Sequence, residues 1–190
     1  MTRAPLLADG VLSDSLARKV AVVVAGSLLM WVAAKVQVPF YPVPMTMQTF
    51  VAVTIGMALG WRLGAATMLL YLAEGAAGLP VFAGTPERGL GLAYMMGPTG
   101  GYLIGFVVAA TATGWLAERG FGRSILGTLA AFSVGLLAIY GLGLLWLGAL
   151  IGWDKNVFAL GAAPFMLGEV FKMALAAAVL PIATRAALKR

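Results

Sequence analysis

The stretch Ser124-Ile-Leu-Gly-Thr-Leu-Ala-Ala-Phe-Ser-Val-Gly-Leu-Leu-Ala-Ile-Tyr-Gly-Leu-Gly-Leu-Leu-Trp-Leu-Gly-Ala149 carries no charged side chain. A helix needs about 20 apolar residues to cross the hydrocarbon core of a bilayer, so this run is long enough to span one. The rest of the chain follows the same chemistry. Of its 190 residues, 62% are hydrophobic and 11% are charged, against roughly 25% charged in soluble domains. Such a chain cannot cover its surface with charge, and lipid must cover it instead. The expected class is an all-α integral membrane protein.

Six segments read as spanning helices: residues 18–36, 46–60, 62–78, 97–117, 124–149 and 164–187. The second and third are short and meet at a tight Gly60-Trp61-Arg62 turn. Three longer connections, residues 37–45, 79–96 and 151–163, fall on one side if the helices alternate. With both termini on the opposite side, that side holds Arg3, Arg18, Lys19, Arg62, Arg119, Arg123, Arg185, Lys189 and Arg190. The long loops hold Lys35, Arg88 and Lys155. Those 9 and 3, with Lys172 inside a span, account for all 13 basic residues. Lys and Arg accumulate on the cytoplasmic side, so both termini are expected in the cytoplasm of a multi-pass protein of the cell inner (plasma) membrane. Residues 1–17 form a cytoplasmic N-terminal segment in this reading, and residues 18–190 a single six-helix transmembrane domain. Arg18-Lys19 before an apolar run resembles the start of a signal peptide, but the run is long enough to span and no A-x-A site follows. An uncleaved first helix is expected.

The chain has no cysteine and no histidine. Disulfides, thiolate metal sites, imidazole bases and the Ser-His pair are therefore absent. Gly97-Pro-Thr-Gly-Gly101 lacks the Lys-Ser/Thr of a phosphate loop, so the chain has no Walker sequence with which to hydrolyse ATP. No enzymatic activity, metal or cofactor is expected. The net charge of +6 is the flanking charge of membrane helices rather than a nucleic-acid footprint.

Two ionisable residues interrupt the last span, in Pro164-Phe-Met-Leu-Gly-Glu-Val-Phe-Lys172. Glu169 and Lys172 are three apart and share a helix face. Charges at bilayer depth are costly, and they pair, face a cavity and mark substrate paths. Lining a polar-ligand pocket is the functional reading, and an internal ion pair that fixes helix packing is the bland one. The first long loop, Val38-Pro-Phe-Tyr-Pro-Val-Pro-Met-Thr-Met-Gln48, has three prolines that stiffen it and delivers Thr46 and Gln48 back into apolar surroundings. It reads as a lid, or as a simple rigid turn. The second, residues 78–102, is Gly-rich yet carries Phe82, Tyr94, Tyr102 and two methionines, and is expected to fold back over the helices as a cap. Arg88 in that loop is either a solvated charge or a fork for a ligand carboxylate. Glu74 is a polar lining residue or an interfacial one. Alanines at Ala17, Ala21 and Ala25 make a small-residue stripe on the first helix, which suits close helix approach, within this chain or with a partner.

Taken together, Val43-Pro-Met-Thr-Met-Gln-Thr49, Gly78-Leu-Pro-Val-Phe-Ala-Gly84 with Gly97-Pro-Thr-Gly-Gly-Tyr102, and Pro164–Lys172 resemble the BioY family, the biotin-binding S components of energy-coupling factor (ECF) transporters. The resemblance covers residues 18 to 187. It implies the six-helix ECF S-component fold, with high-affinity capture of biotin in a pocket near the outer face. It also implies partnership with a transmembrane coupling subunit and cytoplasmic ATPases, although some members of the family work without dedicated ATPases. In this superfamily a small-residue stripe on the first helix contacts the coupling subunit, which suits Ala17, Ala21 and Ala25. The whole subunit would reorient in the membrane to carry biotin inward, with the first loop as outer gate. One departure is visible: Glu169 stands where the family usually has Asp, one methylene shorter.

The residue chemistry suits biotin. Its ureido ring offers two N–H donors and a carbonyl acceptor, for which Glu169, Lys172 and Gln48, with Thr46 beside them, supply the complement. Its sulfur and alkyl chain want apolar walls such as Phe82, Tyr94 and Tyr102. Its carboxylate wants a cation such as Arg88. Such a site is mostly apolar with a few placed polar groups. The alternative is an S component or small transporter for another vitamin such as thiamin or riboflavin. Further rivals are a membrane enzyme using Glu169 and Lys172 as acid and base, and a purely structural subunit.

Overall fold

A computed structural model of the chain describes residues 4–6 and 15–188. Helix α1, Leu16–Lys35, leads into a small antiparallel pair, β1 Gln37–Val38 and β2 Met45–Thr46. The next helical stretch, Gln48–Ala76, is broken at Gly60, whose φ of 80° and ψ of 173° are open to glycine and closed to residues with a Cβ. Its two arms are α2, residues 48–59, and α3, residues 61–76. They fold back on each other. Gln48 Nε2 lies 2.8 Å from the Tyr71 hydroxyl, a pair that a straight helix would hold about 34 Å apart. A Cβ on Gly64 would sit 3.1 Å from the Gly56 Cα, so the arms touch backbone to backbone near the turn.

The short helix α4, Gly91–Met95, precedes α5, Gly100–Ala117. A 3-10 turn at Phe121–Arg123 leads to α6, Ile125–Ile151, whose N-cap Ser124 accepts the Gly127 N–H. Then come the short α7, Val157–Gly161, a second 3-10 turn at Ala163–Phe165, and α8, Met166–Leu188. Five helical stretches are long and apolar enough to cross a membrane. One of them is the hairpin, whose two arms with the other four stretches make the six membrane helices expected from the sequence. Two of the expected loops carry short helices of their own, α4 and α7.

The connections sort to two ends. At one, the three long loops knit together. Arg88 donates to the carbonyls of Pro42 and Phe40, at 3.3 and 3.2 Å. Trp146 Nε1 donates to Gly97 O at 2.9 Å. The Phe40 and Phe165 rings meet edge to face at 5.7 Å. At the other end, Ala4 N donates to Glu118 O, Trp61 N to Glu118 Oε1, and Arg185 to Arg123 O. Residues 4–6 therefore dock on this turn end, with Leu6 buried. The rest of the expected N-terminal segment, apart from residues 15–17, lies outside the described residues.

Arm length positions the site. Arm α2 is roughly 18 Å long and α3 roughly 24 Å, both less than the roughly 30 Å hydrocarbon core. Starting from the Gly60 turn, α2 ends its climb at Gln48, short of the far surface. The loop that feeds it must dip into the bundle, which opens a recess above Gln48 and Thr49.

Candidate functional site

Glu169 lies in the first turn of α8 and is 2% exposed, and Lys172 one turn on is 7% exposed. They form an ion pair of 2.8 Å. Thr49, in the first turn of α2, bridges them: its hydroxyl lies 2.9 and 3.0 Å from the two Glu169 oxygens and accepts from Lys172 Nζ at 2.9 Å. The Tyr140 hydroxyl on α6 donates to Glu169 Oε1 at 3.1 Å. A carboxylate is tolerable at this depth because an ammonium, two hydroxyls and the positive N-terminal ends of two helices converge on it. Lys172 also donates to Thr46 O at 2.6 Å. An ammonium has three donors, and Thr46 O, Thr49 Oγ1 and Glu169 Oε1 occupy all three. Glu169 retains acceptor capacity, chiefly on Oε2, where Thr49 is its protein partner among the described residues.

Glu169 stands in the wall of a recess between the loop end and the helices. Tyr102, Phe106, Ile139, Tyr140 and Phe165 give it apolar walls, and Thr46, Gln48 and Thr49 share its polar corner with Glu169. Two of the long loops contribute, Val43 and Pro44 from the first and Ala83 and Tyr94 from the second, and Phe165 comes from the 3-10 turn that follows the third. The tyrosines turn their rings to the cavity because their hydroxyls are engaged elsewhere. Tyr102 donates to Gly161 O at 2.8 Å and Tyr94 to Ala83 O at 2.7 Å. Burial pushes the Tyr94 phenol above its ordinary pKa, so it stays a donor at neutral pH. Gln48 is held from both ends. Its Nε2 donates to Tyr71, whose hydroxyl donates to Val81 O at 2.9 Å, and its Oε1 accepts from Thr46 Oγ1 at 3.3 Å. One amide N–H remains unassigned.

Of the residues singled out from sequence, Glu169, Gln48, Thr46, Tyr94 and Tyr102 meet in this one cavity. Lys172, Phe82 and Arg88 are not in its lining. Lys172 sits behind Glu169. Phe82, 1% exposed, is wedged against Gly75, with the Tyr94 ring stacked on it at 4.9 Å and the Tyr71 ring edge-on at 5.4 Å. It braces the second loop, as does Lys35, which donates to Phe82 O, Thr85 O and Thr85 Oγ1 at 3.1 to 3.3 Å. Arg88 clasps the first loop. Glu74 accepts from Ser27 at 3.0 Å and ties α3 to α1. Ala17, Ala21 and Ala25 lie exposed on α1, away from the cavity. Sequence reading missed Thr49, Tyr140 and Tyr71. Thr49 closes the quoted Val43–Thr49 motif without having been singled out, whereas Tyr140 had no local signal.

The sequence profile of the BioY family matches residues 3–190. The chain is 38% identical over 160 residues to the probable biotin transporter BioY of Pyrococcus horikoshii, covering 84% of this chain and 92% of that protein. It is 36% identical over 151 residues to the biotin transporter BioY of Thermotoga maritima, covering 80% and 86%. The solved S-component for biotin from an ECF-type ABC transporter shares the fold, with a TM-score of 0.76 at 21% identity over 90% of this chain and 92% of that one. The chain is a member of the BioY family, with the helical fold of an ECF S component.

Proposed function

We propose that this chain is the biotin-binding membrane subunit of a biotin uptake system, working with a coupling subunit and ATPases. The observation that carries the reading is the mostly apolar cavity with one buried carboxylate, Glu169, in its wall, in a chain whose relatives are named biotin transporters. Glu169 accepts the ureido N–H groups, and the free N–H of Gln48 donates to the ureido carbonyl. Lys172 acts at one remove: with its three donors taken, it holds Glu169 rather than the ligand. Tyr94 and Tyr102 flank the bicyclic ring, and the first and second loops close over it. Ala17, Ala21 and Ala25, exposed on α1, form the contact with the coupling subunit. The loop end faces outward and both termini lie in the cytoplasm, in keeping with the basic residues gathered at the turn end.

Titration of the purified protein tests the assignment. Biotin is expected to bind tightly and raise the melting temperature, while thiamin and riboflavin do neither. Absence of saturable biotin binding by folded protein would overturn it.

A further inference from the structure

On the turn end, away from the biotin cavity, α5 and the Gly60 turn border an apolar groove. Val107, Val108, Thr111, Ala112 and Trp115 form its length, and Trp61 closes its side. These α5 positions cover two helical turns, about 12 Å along the axis. The Thr111 hydroxyl is turned away into its own helix, donating to Val107 O at 2.7 Å, so the groove offers an acyl chain a wall without free donors. Trp115 lies in the last turn of α5, at the level where tryptophans mark a membrane–water interface.

Both tryptophans carry a guanidinium. The Arg62 Cζ stands 5.1 Å from the Trp61 ring centroid and the Arg119 Cζ 3.2 Å from that of Trp115. Arg119 spends one of its five donors on Trp115 O, at 3.1 Å. Arg62 has no carboxylate partner among the described residues. The neighbouring acid, Glu118, is turned to the backbone of the hairpin, accepting Trp61 N–H at 3.3 Å. Two cations and one inward-facing carboxylate leave a net positive charge at the mouth of an apolar groove. Forked guanidinium donors match phosphate oxygens, and basic pockets beside spanning helices select anionic headgroups.

We infer that this groove is a binding site for an anionic phospholipid, with one acyl chain along α5 and the phosphate between Arg62 and Arg119. The site is separate from the ligand cavity and stands whether or not the ligand is biotin.

The probe is phosphatidylglycerol against phosphatidylcholine, both brominated on the acyl chains, which quench nearby tryptophan fluorescence. For wild-type protein reconstituted in mixed vesicles, we expect several-fold preferential quenching by brominated phosphatidylglycerol, weakening as salt is raised. Equal quenching by the two lipids would overturn the site without need of any variant. In R62Q/R119Q the preference is expected to disappear, with the phosphatidylcholine signal unchanged. A preference that survives in this double variant would overturn the assignment to these arginines. Inorganic phosphate alone is expected to leave the quenching unchanged. Displacement of the bromolipid by a second copy of the chain, seen as quenching that falls as dimer forms, would assign the groove to self-association instead.

Discussion

Lys172 decides how the buried charge cluster should be perturbed. Its ammonium meets Thr46 O, Thr49 Oγ1 and Glu169 Oε1 at 2.6 to 2.9 Å, so removing it leaves the Glu169 carboxylate without a cation. Breaking a buried pair from one side costs about 3–5 kcal/mol, whereas removing both charges is often close to neutral. Lys172→Met alone should therefore destabilise the fold by about that amount, and Glu169→Gln/Lys172→Met should regain most of it, both read from melting curves. Biotin affinity separates the roles. Glu169→Gln replaces an acceptor-only group by an amide and should weaken binding by about 30-fold, near 2 kcal/mol for a hydrogen bond to a charged group. The double variant should stay as weak while its stability returns. Binding that recovers together with stability would make the pair a packing device and remove Glu169 from ligand recognition. Arg88 calls for a different readout. Its guanidinium holds the carbonyls of Phe40 and Pro42, so Arg88→Ala should speed dissociation of biotin and of its neutral amide by the same factor. A larger effect on the free acid would return Arg88 to direct contact with the ligand carboxylate.

Among the elements, the second loop depends on one glycine of α3. A Cβ at Gly75 would overlap the Phe82 ring, and Phe82 is stacked on Tyr94, which lines the cavity. Gly75→Ala should cost about 1–3 kcal/mol through overpacking and should raise the biotin off-rate by loosening the cap. Gly141→Ala is the control. That glycine is exposed on α6 with nothing within 4 Å of an added Cβ, so the change should be neutral or stabilising by up to about 1 kcal/mol. Equal off-rates in wild type and Gly75→Ala would detach Phe82 from gating. The same elements show what can be read from sequence. Hydrophobic runs locate all six membrane helices, and Gly60-Trp61-Arg62 marks the hairpin because glycine alone tolerates that turn. The facing of loop aromatics is not legible: Phe82 and Tyr94 belong to one apolar loop, yet one packs inward on Gly75 and the other borders the cavity. Nor does a hydroxyl inside an apolar run announce itself. Tyr140 reads as one more spanning residue until α6 packs beside α8 and brings it 3.1 Å from Glu169. The exhaustion of Lys172 is likewise a count of partners that α2 and β2 supply from more than a hundred residues away.

On the scale of the whole molecule, the two ends differ in charge, and that difference carries the proposed orientation. Among the described residues the turn end gathers Arg18, Lys19, Arg62, Arg119, Arg123 and Arg185, while the loop end carries Lys35, Arg88 and Lys155. Two of those three are bound to loop carbonyls through Lys35 and Arg88, which leaves Lys155 exposed to solvent. On the proposed orientation, Lys and Arg are retained in the cytoplasm and the turn end faces inward. The recess made by the short arm α2 opens at the loop end, which on that proposed orientation is the side where an imported ligand arrives. The lack of cysteine makes the test clean, since a single introduced thiol is the sole labelling site. Glu87→Cys and Lys155→Cys, both at exposed loop-end positions, should react with a membrane-impermeant maleimide on intact cells. Arg119→Cys, exposed at the turn end, should react only after the membrane is opened. The reverse pattern would place the cavity mouth in the cytoplasm and defeat an uptake role. Excess biotin should protect neither loop thiol fully, because both lie outside the cavity lining, but it should slow labelling at Glu87→Cys, which sits next to the Arg88 clasp that a closed lid holds in place.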